Sequence, residues 1–155
     1  MEMPKIHPEH KKLEVLVGKW AGTETLSPSP WDPKGGTATA RMDSHVDLDG
    51  FFLITDYVEE RQGTVCYRGH GVFGWDAHTK HYTMHWFDTM GPASVTPATG
   101  QWEGPSLVFA QQTPMGHNRF SYIIEQPKHF TMRIEHSKDG KDWTVFMEGK
   151  YKRID

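Results

Sequence analysis

Histidine offers this chain its most obvious chemistry, because ten of its 155 residues are histidines. The spacing of His78, His81 and His85 would suit a metal site on a helix, where the last two lie one turn apart. The surrounding residues predict a strand instead, on which residues four apart are separated by about 13 Å. Zn–N bonds measure only ~2.0–2.1 Å. We therefore expect outward-facing histidines and predict no metal site.

Nucleophilic catalysis would depend on Cys66 or an activated serine. The chain has no Gly-x-Ser-x-Gly turn, and Cys66, its only cysteine, has no recognisable hydrolase context. Arg68 and His70 share a strand face that could bind an anion if turned inward; because arginine is rarely buried, the outward placement is favoured. Gly69-His70-Gly71 lies within a strand and indicates a bend rather than a phosphate loop. We name no catalytic residue and expect a binding protein rather than an enzyme.

Methionines and aromatic residues on predicted inner faces are more informative, because flexible, polarizable methionine suits an adaptable apolar pocket. Asp88 and His136 each lie at the end of a strand and follow the alternating residues that are predicted to face the interior. They are the candidates for a polar group at the rim. A small barrel of about eight strands can fill its interior with side chains, whereas about ten strands enclose a wider one, which favours a cavity over a solid core. The predicted ligand-lining residues are Met42, Tyr82, Met84, Trp86, Asp88, Phe120, Tyr122, Met132, Ile134, His136, Met147 and Tyr151.

Strand-like runs separated by turn residues must position these side chains. After a first strand near Trp20, we predict strands at 37–48, 51–60, 64–75, 80–88, 93–102, 106–113, 118–126, 129–137 and 143–153. Most alternate between apolar and polar residues, with Phe146 and Ile123 out of pattern, and 51–58 is apolar on both sides and cannot be oriented. Sequential hairpins of this kind predict an all-β, up-and-down antiparallel barrel of about ten strands.

The segment before these strands predicts a cap for the barrel. Pro8–Leu16 has a helix start and is too short to be stable alone, so we expect it to cover an open end. Gly18 and Gly22 bracket Trp20, where the first strand enters the barrel. Residues 27–36, rich in proline and glycine, predict a long first loop, a kind of segment that is often functional.

Composition limits the partners. The net charge of −3 comes from interspersed charges of both signs, which argues against a nucleic-acid groove. A single cysteine, a charged N-terminus without a signal-peptide core and the lack of a membrane-length apolar run predict a cytoplasmic protein that does not bind membranes. We expect residues 1–155 to form one domain, of an oligomeric state that the sequence does not indicate.

The chain resembles the lipocalin and fatty-acid-binding-protein superfamily in its helical lead-in, its Gly18-Lys19-Trp20-Ala21-Gly22 strand and its meandering strands. The runs 71–76 and 82–88, with Tyr151 and Arg153 on the closing strand, resemble a bacterial lipocalin-like family known only as a domain of unknown function. The resemblance implies a calycin-like barrel and no particular activity. It also implies that Arg153 packs over Trp20 and closes the barrel.

Haem-binding nitrobindins, on a related barrel, share the Gly-x-Trp-x-Gly start. The resemblance to them implies a late proximal histidine, with His129 and His136 as possible counterparts. Three hypotheses follow. The first is a protein that binds a small apolar or aromatic ligand without a cofactor. The alternatives are a haem protein and an enzyme acting on a small apolar substrate.

Overall fold

A computed structural model of the chain describes residues 1–30, 32–94 and 96–155. A short helix, α1 (Pro8–Lys12), continues into a 3-10 turn at Leu13–Leu16, and a second such turn spans Leu48–Gly50. No helix in the described ranges is long and apolar enough to cross a membrane. The strands are β1 (Gly18–Leu26), β2 (Gly36–Asp47), β3 (Phe52–Arg61), β4 (Thr64–Asp76), β5 (His81–Asp88), β6 (Ala98–Glu103), β7 (Ser106–Thr113), β8 (Gly116–Gln126), β9 (His129–Ser137) and β10 (Thr144–Arg153).

Each strand pairs antiparallel with the next along the chain, and β1 also pairs with β10, so the sheet closes into a barrel. The closing ladder runs from Trp20 opposite Arg153 to Leu26 opposite Met147. Closure removes the free sheet edges that would otherwise invite pairing with another chain. The predicted all-β, up-and-down barrel of ten strands with a short N-terminal helix is confirmed.

Period-two alternation decides which side chains enter the barrel. In β2, for example, Ala38, Ala40, Met42 and Ser44 are buried, while the residues between them are exposed. Because side chains along a strand point to alternate faces, one face of each strand builds the interior and the other meets water. Phe146 departs from the pattern because the register of β10 against β9 shifts between Val145 and Met147. Such a bulge places an extra residue in one strand and re-aims its side chain.

One half of the barrel, next to α1, is packed with aromatic rings; we call this the closed end. The ring of Phe130 stacks on Tyr151 with a centroid separation of 5.0 Å and meets the edge of Trp20 at 4.7 Å. Phe73 and Phe109 form an edge-to-face pair at 5.7 Å, and both are almost wholly buried. This half is therefore a filled core, as in small barrels.

The helical segment covers the closed end through two hydrogen bonds, one buried and one partly buried. The Trp20 indole Nε1 donates to the Leu16 carbonyl oxygen at 2.9 Å, and the Tyr82 hydroxyl lies 2.8 Å from the Glu9 carbonyl oxygen. Without these bonds the two side-chain groups would have no hydrogen-bond partner, and each unsatisfied group would cost roughly 1–3 kcal/mol. A segment too short to be a stable helix alone is held in place by the barrel it covers.

The structure corrects the strand predicted for 93–102, which begins only at Ala98 and ends at Glu103. Pro92 and Pro97 explain the difference, since proline has no N–H to donate to a ladder and is found at strand starts and edges. Val95 of that prediction lies outside the described residues. The other strands begin and end within two residues of their predicted bounds.

The expected stack of Arg153 over Trp20 is absent from the cation–π contacts of the described residues; the one present joins Arg119 to the ring of Trp143. The Arg153 side chain instead crosses Gly18, where a Cβ would lie 2.6 Å from its Nε, and Nε donates to Asp155 at 2.7 Å. The two residues are still register partners, so barrel closure follows from the backbone ladder rather than from the guanidinium.

Candidate ligand-binding cavity

The other half of the barrel, the open end, contains a cavity of about 930 Å³. This volume falls within the ~300–1,000 Å³ typical of small-molecule sites. Residues of the first loop and of the segment after β5 line this cavity, and Asp32 of that loop forms an ion pair with Arg61 at 2.6 Å. The interior is therefore neither wholly solid nor wholly hollow: the closed end is a core and the open end is a cavity.

The structure brings most of the predicted lining residues together around this cavity. Those that line it are Met42, Met84, Trp86, Asp88, Phe120, Tyr122, Met132, Ile134 and Met147. The thioether of Met84 accepts a long hydrogen bond from the buried Tyr122 hydroxyl at 3.8 Å, so the partner of this hydroxyl is a weakly polar sulfur atom. Four methionines, one on each of β2, β5, β9 and β10, supply a deformable apolar surface. Their role in binding a ligand stays a prediction.

The structure places the remaining three predicted lining residues elsewhere. Tyr82 is wholly buried at the closed end beneath α1, and Tyr151 is buried beside Phe130. Both belong to the packed half because the strand levels they occupy lie nearer the helix. His136 lies at the open rim, where its ring is 3.0 Å from the Asn118 amide oxygen, and it stands outside the set that lines the cavity.

One side of the cavity is polar and is built by three consecutive strands. We call Tyr57 and Glu59 of β3, Tyr67 of β4, and Trp86 and Asp88 of β5 the acidic–aromatic wall. The Tyr67 hydroxyl donates to the Asp88 Oδ2 at 2.7 Å, and the Trp86 Nε1 lies 2.8 Å from the Tyr67 oxygen and 3.1 Å from the same carboxylate oxygen. Burial and this bond to Asp88 raise the pKa of Tyr67, so the hydroxyl keeps its proton.

Behind the wall lies a buried carboxyl–tyrosine cluster. Glu24 is completely buried, and its Oε2 accepts hydrogen bonds from the hydroxyls of Tyr151 and Tyr57, the latter at 2.5 Å. The Tyr57 hydroxyl also lies 3.0 Å from Glu59 Oε2. A hydroxyl has a single proton, so both contacts of Tyr57 are hydrogen bonds only when one of the two carboxyl groups is protonated. Burial raises the pKa of the Glu24 carboxyl to about 7.

Glycines create the space that this cluster needs. Gly22 lies opposite Tyr151 in the ladder, where a Cβ would fall 2.3 Å from the tyrosine ring, and Gly149 lies opposite Glu24, where a Cβ would fall 3.0 Å from its Cγ. Glycine at position 22 therefore lets the Tyr151 ring lie directly against β1.

A third glycine does the same for the wall. A Cβ on Gly69 would lie 2.0 Å from the Trp86 indole, so the glycines of Gly69-His70-Gly71 leave room for that ring. Glycine occurs in this strand because the Trp86 ring lies against it, whereas the sequence pattern indicated a bend at these glycines. Arg68 and His70 point outward as favoured, and His70 forms a surface pair with Asp56 at 2.7 Å.

Sequence reasoning missed Glu24, Tyr57, Glu59 and Tyr67. One signal could have found Tyr67: the alternation that turns Arg68 and His70 outward turns their neighbours inward. Residues 51–58 are apolar on both sides, so the pattern contains no such signal for this strand, and Tyr57 and the following Glu59 could not be assigned a face.

The positions proposed for haem do not fit it. His129 begins β9 at the closed end, next to the packed aromatic core, and neither it nor His136 lines the cavity. Metal sites are likewise unsupported in residues 1–30, 32–94 and 96–155, where no group of three His, Cys, Asp or Glu side chains is placed to hold an ion. Cys66 does line the cavity, with its Sγ 3.4 Å from Glu59 Oε1. Although Cys66 is exposed, local desolvation of its thiol, followed by Glu59, raises the pKa of the thiol, which disfavours a reactive thiolate.

Comparison with known proteins agrees with this fold. The solved structure of Rv2717c from M. tuberculosis is similar, with a TM-score of 0.71 and 12% identity over 97% of this chain and 100% of that one. The S-type phycobiliprotein lyase CPES from Guillardia theta is also similar, with a TM-score of 0.67 and 8% identity over 98% of this chain and 99% of that one. At these identities the likeness concerns the lipocalin-like fold alone. No curated protein matches the chain. The family model described as "Protein of unknown function (DUF1579)" matches residues 5–153, and the chain therefore belongs to the DUF1579 family.

Proposed function

We propose that this protein binds a small, largely apolar or aromatic molecule in the open half of its barrel. The observation that carries the proposal is the cavity of about 930 Å³, lined by methionine, aromatic and aliphatic side chains with one polar side. Burial of apolar ligand surface supplies affinity in such sites, and a few polar groups set orientation. The acidic–aromatic wall provides those polar groups, with Asp88 as the one that the sequence also predicts.

The attachment of the first loop supports the same function. The first loop is attached to the barrel by the Arg61–Asp32 ion pair and by a backbone bond from the Ser27 N–H to the Phe146 carbonyl oxygen at 3.0 Å. Residues of this loop line the cavity together with the segment after β5. Loops held on a rigid barrel are where binding residues are commonly placed. A cytoplasmic location stays a prediction that rests on the single cysteine.

A fluorescence titration tests the proposal. N-phenyl-1-naphthylamine is neutral and apolar and brightens in an apolar site, so it should bind the wild type saturably. Ala98 and Thr99 are adjacent on β6, but Ala98 is buried and lines the cavity, whereas Thr99 is exposed. Ala98→Phe should therefore greatly weaken probe binding, and Thr99→Phe should leave it unchanged.

The two variants also separate filling of the cavity from general damage, since thermal unfolding of each shows whether the barrel is intact. If a folded wild type binds no probe, or if a folded Ala98→Phe binds as the wild type does, ligand binding in the cavity is ruled out.

An acid–base enzyme is the second candidate, favoured by the buried carboxyl–tyrosine cluster. Tyr57 and Glu59 line the cavity while Glu24 lies behind them, so a proton held by the cluster is one hydroxyl away from a bound molecule. One barrel of the same fold is named a lyase, which is compatible with catalysis in this architecture. Hydrogen–deuterium exchange into a bound carbon acid, lost in Glu59→Gln, would separate this candidate from a pure binding protein.

A further inference from the structure

The acidic–aromatic wall offers a ligand acceptors rather than donors. Its Tyr67 hydroxyl donates to Asp88, its Trp86 N–H is shared between the Tyr67 oxygen and Asp88, and its Tyr57 hydroxyl lies between carboxyl oxygens of Glu24 and Glu59. The donors are thus already engaged, and carboxylate lone pairs are what the wall presents to the cavity. A ligand group placed here must itself donate hydrogen bonds, because a second acceptor would face oxygen atoms with no proton between them.

The charge of the cavity points the same way. Three carboxyl groups line it, those of Asp32, Glu59 and Asp88, and Asp32 is neutralised by its ion pair with Arg61. The ion pairs formed within the described ranges include neither Glu59 nor Asp88. A proton shared between Glu24 and Glu59 removes one charge of that pair and leaves the other. The wall is therefore negative, on a cavity surface that is otherwise mostly apolar and whose remaining polar side chains include the Arg61–Asp32 pair, His85 and Gln111.

Three aromatic residues contact these carboxyl groups through their polar atoms. The Tyr57 ring lies 5.7 Å from Tyr67 at an interplanar angle of 72° and 6.0 Å from Trp86 at 61°, and all three residues line the cavity. Rings set at steep angles around one space are the arrangement that binds ammonium groups through cation–π attraction. A separate observation adds to this: the second oxygen of the fully buried Glu24, behind Tyr57, has no hydrogen-bond partner. Such a group is costly unless it holds a proton or positive charge is near.

We propose that the ligand is an organic cation, an apolar molecule with a protonated or quaternary amine that binds at the acidic–aromatic wall between Glu59 and Asp88. Its apolar remainder lies against the methionines on the other side of the cavity, among them Met132 and Met147. This inference rests on the proposed function, because it names the ligand class for the same cavity. Aromatic faces, carboxylates and the absence of a free donor on the wall all select against an anionic head group.

A competition series tests the charge preference. Decylamine, 1-decanol and decanoate share one chain length and differ only in the head group, which is cationic, neutral or anionic at pH 7. Each is titrated, below the concentration at which it forms micelles, against wild type that holds N-phenyl-1-naphthylamine. Decylamine should displace the probe about tenfold or more tightly than 1-decanol, the size of a partly desolvated cation–π contact. Decanoate should displace it least.

Two variants locate the preference. Glu59→Gln and Asp88→Asn should each reduce the advantage of decylamine over 1-decanol, whereas Asp43→Asn, which removes the same charge from the exposed face of β2, should retain it. If Asp88→Asn does not fold, the result for Glu59→Gln alone decides the test. Equal displacement by amine and alcohol, tighter displacement by decanoate, or an amine preference that survives in both wall variants would overturn the cation proposal and leave the cavity intact. If the probe itself does not bind, the proposed function is ruled out instead.

Discussion

Replacement of Glu24 by glutamine tests the buried carboxyl–tyrosine cluster, because an amide keeps the shape of the side chain and cannot ionise. Burial raises the pKa of the Glu24 carboxyl from 4.5 to about 7, against the hydrogen bonds from Tyr151 and Tyr57 that lower it. A carboxyl whose pKa is higher in the folded than in the unfolded state takes up a proton on folding between those two values. The wild type should therefore lose stability as the pH rises from about 4.5 to above 7.

The magnitude follows from the size of the shift. At about 1.4 kcal/mol per pKa unit, the rise to about 7 corresponds to a loss of about 3 kcal/mol in the free energy of unfolding between pH 4 and pH 8. Glu24→Gln should remove this part of the pH dependence. The variant should then be more stable than the wild type at pH 8, with the advantage disappearing towards pH 4.

Urea unfolding at several pH values between 4 and 8 measures the effect. The relevant quantity is the difference between wild type and variant, since other titrating groups contribute equally to both. Glu103→Gln, which changes an exposed glutamate on β6, serves as the control and should follow the wild type. A Glu24→Gln curve parallel to that of the wild type, or one that falls below it as the pH rises, would refute the argument from burial.

Three further outcomes are expected. Phe109→Ala should lower the free energy of unfolding by ~3–5 kcal/mol, because this ring is wholly buried at the closed end. Trp86→Ala should lower it less, because the Trp86 ring borders the cavity. Equal losses in urea unfolding would contradict the division of the barrel into two halves. Gly22→Ala should lower the melting temperature sharply, since its Cβ would lie 2.3 Å from the Tyr151 ring, and a wild-type melting curve would disprove that close approach. Alkylation of Cys66 by iodoacetamide should be slower than that of cysteine in a short peptide, because desolvation and Glu59 raise the pKa of its thiol, and it should be slower still with the naphthylamine probe bound. Mass spectrometry that finds no protection would place the probe elsewhere.

The barrel itself could be predicted from the sequence, because alternation and turn residues are local signals. In β5, Tyr82, Met84 and Trp86 alternate with polar residues, and all three lie on the inner face as predicted. The division of the interior could not be predicted, since it depends on the level that each ring occupies along the barrel. Tyr82 and Trp86 share a face, yet one lies beneath the helix and the other borders the cavity.

The polar part of the candidate site was missed for a related reason. Glu24 stands between two threonines, a context that resembles an exposed position, and its burial depends on Gly149 lying opposite in the closing ladder. That pairing joins residues at the two ends of the chain, and local patterns contain no information about it. The direction of Arg153 likewise depends on Asp155, which offers a nearer partner than the indole of Trp20.

Methionine methyl resonances test the central claim, that the open half of the barrel binds a small molecule, most directly. In protein labelled with ¹³C at the methionine methyl groups, addition of N-phenyl-1-naphthylamine should shift the signals of the four inner-face cavity methionines and leave those of the exposed ones in place. The first group is Met42, Met84, Met132 and Met147, and the second is Met1, Met3 and Met115. Shifts confined to the second group, or no shifts at saturating probe, would contradict ligand binding in the cavity.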